Sequence, residues 1–223
     1  MTLTYDEGAA TAVDDPIAEP AAGRSGRPGY WLPVALVVGL LLGVAIGYLI
    51  PRGGTPADNS PEAGFARDMS THHTQAVEMG MIAYTRATNA DVRTMARDIA
   101  LTQQGQIGMM QAWLQEWNLS PTGSQPPMAW MPDGAAAVRN GLMPGMATPA
   151  ELEQLRQATG LDEDRLFLRL MIQHHLGGIH MSQAVLGTSK EKEVTEAAQL
   201  AINNQQRELT DMQALEKSLG AKP

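Results

Sequence analysis

Two stretches concentrate the side chains that could do chemistry: "MSTHHTQAVEM" at 69–79 and "MIQHHLGGIHM" at 171–181. All five histidines fall inside them. Each places adjacent histidines between methionines at the same spacing: Met69, His72, His73 and Met79, then Met171, His174, His175 and Met181. Imidazole suits several transition metals, and thioether favours Cu(I) in particular. Other chemistries find less support. The chain has no cysteine, which removes disulfides, thiolate metal sites and Cys nucleophiles together. A di-iron carboxylate centre needs Glu-x-x-His, and no glutamate stands three residues before any histidine. No serine motif resembles a nucleophile elbow.

Both stretches read as helices. At about 100° per residue, Met171, His174, His175 and Met181 fall within an arc of roughly 120° shared with Phe167 and Val185. The first stretch follows the same arithmetic. A lone His or Met on such a stripe is ordinarily core. Four stripe histidines are costly as pure packing, because every ring nitrogen needs a partner. Glu78 and His180 lie off this face and are discounted as ligands.

The two stretches belong to an internal duplication. At an offset of 102, the spacing of His72 and His174, residues 65–117 align with 167–219 without a gap. Gln103 and Gln104 then meet Gln205 and Gln206, and "MQA" at 110–112 meets "MQA" at 212–214. The apolar stripe of the helix following each His pair carries polar residues: Gln103 and Gln106 with Met110, and Gln205 and Glu208 with Met212. The candidate metal ligands are therefore Met69, His72, His73, Met79 and Met110 with Met171, His174, His175, Met181 and Met212. Gln103, Gln106, Gln205 and Glu208 would orient imidazoles or ligate weakly. Met128, Met131, Met143 and Met146, between the copies, read first as core filling.

The elements that must position these residues are helical. No segment alternates with period two, so no strand is expected. Each copy reads as a helical hairpin, 61–118 and 162–220, and four long helices imply an all-α bundle. Ser60 with Pro61, and Asn89, read as N-terminal signals for the first two long helices. Asp162 is the expected cap of the third, ending at Gly187, and Thr188 with Glu191 has capping-box spacing for the fourth. The connector, 119–161, should be mostly loop, with a short helix from the capping box Thr148–Glu151 to about Ala158. Aromatics are only 4 % of the chain, so the core must be built from Leu, Ile, Ala and Met.

Residues 1–30 read as a disordered cytoplasmic tail. Trp31 to Ile50 carries no charge and at about 1.5 Å per residue would span roughly 30 Å, a bilayer core. It reads as an uncleaved transmembrane signal anchor, with a cleaved signal peptide the rival reading. Arg24 and Arg27 precede it and Arg52 follows, placing the C-terminal part outside the cell membrane. Residues 51–60 are a linker. The net charge of −8 argues against nucleic acid as a partner.

The motifs "FARDMSTHHTQAVEM" with "QQGQIGMM", and "FLRLMIQHHLGGIHM" with "QQRELTDM", resemble the bacterial ferritin-like domain-of-unknown-function family number three hundred and five. So does the connector "GLMPGMATPAELEQLRQATGLDEDRLF". The resemblance covers about residues 61–219. It implies a secreted or anchored ferritin-like four-helix bundle, with copper binding and copper tolerance in some members. The family's glutamate is Gln106 in the first copy and Glu208 in the second, so the two copies would differ in affinity or metal.

The expected protein is a membrane-anchored, extracytoplasmic four-helix bundle that binds copper without turnover, for sequestration or transfer. Cu(I) is favoured, with Cu(II) or another transition metal as alternatives. A homo-oligomer or a copper-trafficking partner is compatible with the sequence. The rival functions are a metal-free helical interaction module and a metal-dependent oxidoreductase. Because ligation needs neutral imidazole, binding is expected to weaken as pH falls through about 6.5.

Overall fold

The computed structural model describes residues 31–49 and 54–220, without the side chains of 31, 32 and 45–49. The tail at 1–30, Ile50 and the first linker residues lie outside the described residues. The chain divides into two compact units, 1–53 and 54–223. Among the described residues the first contains one helix, α1 (Trp31–Leu49). Its described side chains, 33–44, cover only roughly 18 Å at helical rise. Among the described residues, no helix is long and apolar enough to cross a membrane.

The second unit holds four long helices, α2 (Pro61–Arg86), α3 (Ala90–Glu116), α6 (Leu161–Thr188) and α7 (Lys192–Gly220), and two short ones, α4 (Gly134–Ala137) and α5 (Pro149–Gln157). Among the described residues there is no strand, only an isolated bridge between Arg139 and Leu142. Helix α2 packs on α3 and on α6, and α6 packs on α7. Asp164 at the start of α6 accepts hydrogen bonds from Thr88 and Asn89, just beyond the end of α2. The two central helices therefore run antiparallel.

Local chemistry explains most helix ends. The Ser60 hydroxyl accepts from Ala63 N–H with Pro61 in the first turn, and Asn89 accepts from Asp91 and Val92 N–H. Thr148 and Glu151 form the full capping box at α5. Two expected caps are corrected. Helix α6 starts from Gly160, at φ 61°, with no side-chain cap. Asp162 instead sits in the first turn, where a carboxylate favours the helix dipole. Thr188 is still helical, and its hydroxyl donates back to the Ala184 carbonyl. Glu191 N–H turns to Ser189 Oγ. Gly187 does not end the helix, because Ser189 takes an extended conformation one residue past Thr188.

The connector is fastened across the bundle's centre. Arg67 donates to the carbonyls of Ser120 and Asp58, and Asp68 accepts from Met128 N–H and Trp130 Nε1. Gln75 exchanges two hydrogen bonds with Ala147, at 2.9 and 2.6 Å. At the repeat-related position stands Gly177, where a Cβ would lie 1.9 Å from the Pro144 carbonyl oxygen. One copy thus latches the connector and the other makes room for it.

Gly177→Ala should destabilise the unit by about 1–3 kcal/mol, because the connector backbone must move. Gly187→Ala, in the same helix with no atom within 4 Å of a new Cβ, should be neutral or stabilising by up to about 1 kcal/mol. Thermal denaturation of the two variants checks this contrast.

Candidate metal centre

The four stripe histidines meet where α2 crosses α6. All are buried, at 0–1 % exposure. The rings of His72 and His174 face each other with centroids 3.8 Å apart and a 34° tilt. His73 and His175 stand outward of them, with centroids 6.3 and 6.4 Å from their neighbours.

The hydrogen bonds settle which ring nitrogen holds the proton. His72 Nε2 lies 3.0 Å from the Pro144 carbonyl oxygen, and His174 Nε2 lies 2.9 Å from the His72 carbonyl oxygen. A carbonyl only accepts, so each Nε2 must donate. His175 Nε2 donates to the Glu208 carboxylate at 2.7 Å. Gln106 lines the same small cavity as His73. All four Nδ1 atoms are buried without a hydrogen-bond partner. An imidazole held through one nitrogen by a carbonyl or carboxylate, with a bare lone pair on the other, has the form of a metal ligand. An orphaned acceptor otherwise costs about 1–3 kcal/mol. Both side-chain polar atoms of Gln103 and of Gln205 are buried and unpartnered too.

The six candidate methionines are 0–2 % exposed. They do not group by copy. One apolar cluster contains Met69, Met110 and Met181, and the other Met79, Met171 and Met212. The antiparallel crossing brings each copy's far methionine to the other copy's end. A small cavity lined by Met69, His73, Gln106 and Met110 gathers the first copy's donors. Among the described residues, no three or more His, Cys, Asp or Glu side chains come together as a metal-binding group. The donors that do converge are imidazole and thioether, which suit a soft ion better than a hard one.

Sequence reasoning missed Met109, a half-exposed thioether lining the same cavity as His73. Its neighbour Met110 drew the attention because it lies on the apolar stripe. Met128, Met131 and Met143 are buried in the cluster that holds Met69. His180 is exposed beside the connector, and Glu78 pairs with Arg156.

Burial pushes His72 down to about 4, against the hydrogen bond to Pro144. Burial, then the neighbouring His72, pushes His73 to about 3. His174 is held well below the ordinary value, by burial first and then by the other histidines. These rings are therefore neutral far below pH 6.5. Burial thus moves protonation of His72 and His73 to about 4 and 3, below the ordinary imidazole range.

Comparison with known proteins bears on what such a site serves. Residues 62–216 match the family model described as Domain of unknown function (DUF305). The chain is similar to a DUF305 protein from Streptomyces coelicolor, with 41% identity, 74% of this chain and 98% of that chain covered, and a TM-score of 0.68. A DUF305 fragment from Deinococcus radiodurans gives 30% identity, 71% and 96% coverage and a TM-score of 0.60. CopM in its Cu(II)-bound form gives 25% identity, 71% and 97% coverage and a TM-score of 0.56. No curated protein matches the chain.

The metal-free chain should lose stability as pH falls below about 6.5. Unfolding frees His72, His73 and His174 to take up protons at their ordinary value; in the folded state His72 and His73 resist until about 4 and 3, and His174 is held well below its ordinary value. Glu163 works the other way. Burial, then Asp164, raises it to about 7, so the folded state binds its proton first. Asp68, raised by burial, acts in the same sense as Glu163, so three imidazoles less these two carboxyls leave a net uptake of roughly one to two protons on unfolding near pH 5.5. The melting temperature of chelator-treated protein should therefore fall steadily from pH 6.5 to 4.5. A flat profile would contradict buried neutral imidazoles.

Proposed function

We propose that this chain, which belongs to the DUF305 family, binds copper through its buried His and Met side chains and stores it or passes it on without turnover. The observation that carries this reading is the set of four buried imidazoles, each with an unpartnered Nδ1, beside two trios of buried methionines. That donor set fits Cu(I) best. The likeness to CopM in its Cu(II)-bound form, at 25% identity, supports a copper role. We read the helical unit as a ferritin-like four-helix bundle formed by the duplication of 61–118 in 162–220. Trp31 to Ile50 would anchor it to the cell membrane with the metal-binding unit outside.

His73, His175, Met69, Met110, Met171 and Met212 would ligate, with Met181 and Met79 completing the two ends. His72 and His174 would add two further imidazoles at the crossing. Gln106 and Glu208 would orient His73 and His175, while Gln103 and Gln205 offer buried amides.

In competition with a chromophoric Cu(I) chelator, the detergent-solubilised full chain should bind Cu(I) more tightly than micromolar. The double variant His73→Ala/His175→Ala should weaken it roughly 100-fold or more. Met69→Leu/Met171→Leu keeps volume and removes sulfur, so it should fold and still lose roughly tenfold or more. Unchanged affinity in both variants would exclude this site.

A further inference from the structure

We infer that Met143, Met146 and His180 form a separate Cu(I) site at the surface, through which the ion loads the buried centre. The loading role rests on the copper reading above. The connector segment Met143-Pro144-Gly145-Met146 is a tight turn. Met146 N–H donates to the Met143 carbonyl at 3.2 Å, and Gly145 sits at φ 77°. Proline second and glycine third, at positive φ, are what a type II turn asks for, and such a turn holds its end Cα atoms within about 7 Å. Two thioether side chains therefore start from neighbouring points. Helix α6 adds the imidazole. A Cβ on Gly177 would lie 1.9 Å from the Pro144 carbonyl oxygen, so the turn rests on α6 at that residue. His180 follows one helical turn later on the same face, where Cβ atoms are about 5–6 Å apart. Met143, Met146 and His180 line one cavity of about 470 Å³.

Two thioethers with one imidazole suit Cu(I). Among the described residues no carboxylate lines this cavity, and Arg139 does. A positive neighbour opposes a doubly charged ion more than a singly charged one. The turn does not need its methionines as anchors, because Pro144 is held by His72 and the next residues by the Gln75–Ala147 pair. Exposure falls inward along the donors. His180 is exposed, Met146 is partly buried and Met143 is 5 % exposed. Met143 belongs to the apolar cluster that holds Met69, Met110 and Met181, and Met146 packs against that cluster. The thioethers thus lead from the open cavity to one trio of buried methionines. The cluster around Met79, Met171 and Met212 contains neither Met143 nor Met146. Loading therefore begins at the end where Met69 lies.

The test delivers Cu(I) from a chromophoric chelator complex to the detergent-solubilised full chain, by anaerobic stopped flow and by equilibrium titration. His180→Ala/Met146→Leu should slow transfer roughly tenfold or more and remove the surface ion, while the affinity of the buried centre stays within about twofold. Leucine keeps the volume of methionine, His180 is exposed, and circular dichroism checks folding. A second measurement needs no variant. Diethyl pyrocarbonate modifies accessible imidazoles, and the other four histidines are 0–1 % exposed. Mass spectrometry should find His180 modified in the metal-free chain and protected once Ag(I) is added as a Cu(I) mimic. If the wild-type chain binds Cu(I) but the variant loads as fast and holds as many ions, or Ag(I) leaves His180 fully reactive, this inference is overturned alone. If the wild-type chain binds no Cu(I), the copper reading fails and takes this inference with it.

Discussion

The constraint on which the rest of the structure depends is the commitment of Nε2–H at the helix crossing. Imidazoles buried in apolar surroundings must satisfy a donor, and here His72 and His174 give theirs to main-chain carbonyls. That choice fixes the tautomer and leaves Nδ1 as a bare base. It also explains why the connector lies where it does. Pro144 must bring its carbonyl to His72, so Gly177 must lack a Cβ, and Gln75 holds the next segment at Ala147.

The duplication is not used symmetrically. His174 donates to the carbonyl of His72, but His72 donates to the connector and not to His174. The connector thereby gives the two copies of the repeat different partners at equivalent histidines. The same asymmetry runs outward to the partner helices, where the side chain beside His73 is an amide and that beside His175 is a carboxylate.

Much of this was legible in the sequence because it is local or periodic. Ser60, Asn89 and Thr148 each announce a helix start by their own hydrogen-bonding chemistry, and the wheel puts all four histidines on the buried face. What was not legible is axial and long-range. A wheel reports the face of a residue, not its height. Met69 and Met79 therefore read as one bracket, although the antiparallel crossing sends Met79 to the end where Met171 and Met212 lie. The placement of Pro144 against His72 arises between segments 72 residues apart, and no local pattern encodes it. Met109 lies off the apolar stripe. Only the cavity it lines draws attention to it.

The central claim concerns which nitrogen is bare, so the most direct measurement is long-range proton–nitrogen correlation NMR of the histidine side chains in the metal-free chain near neutral pH, repeated after adding diamagnetic Ag(I) as a Cu(I) mimic. The account predicts that His72, His174 and His175 carry the proton on Nε2. On metal addition, the ligating histidines should shift at Nδ1 while their Nε2 protons persist. Protonation on Nδ1 in the metal-free state, or metal shifts confined to Nε2, would contradict it.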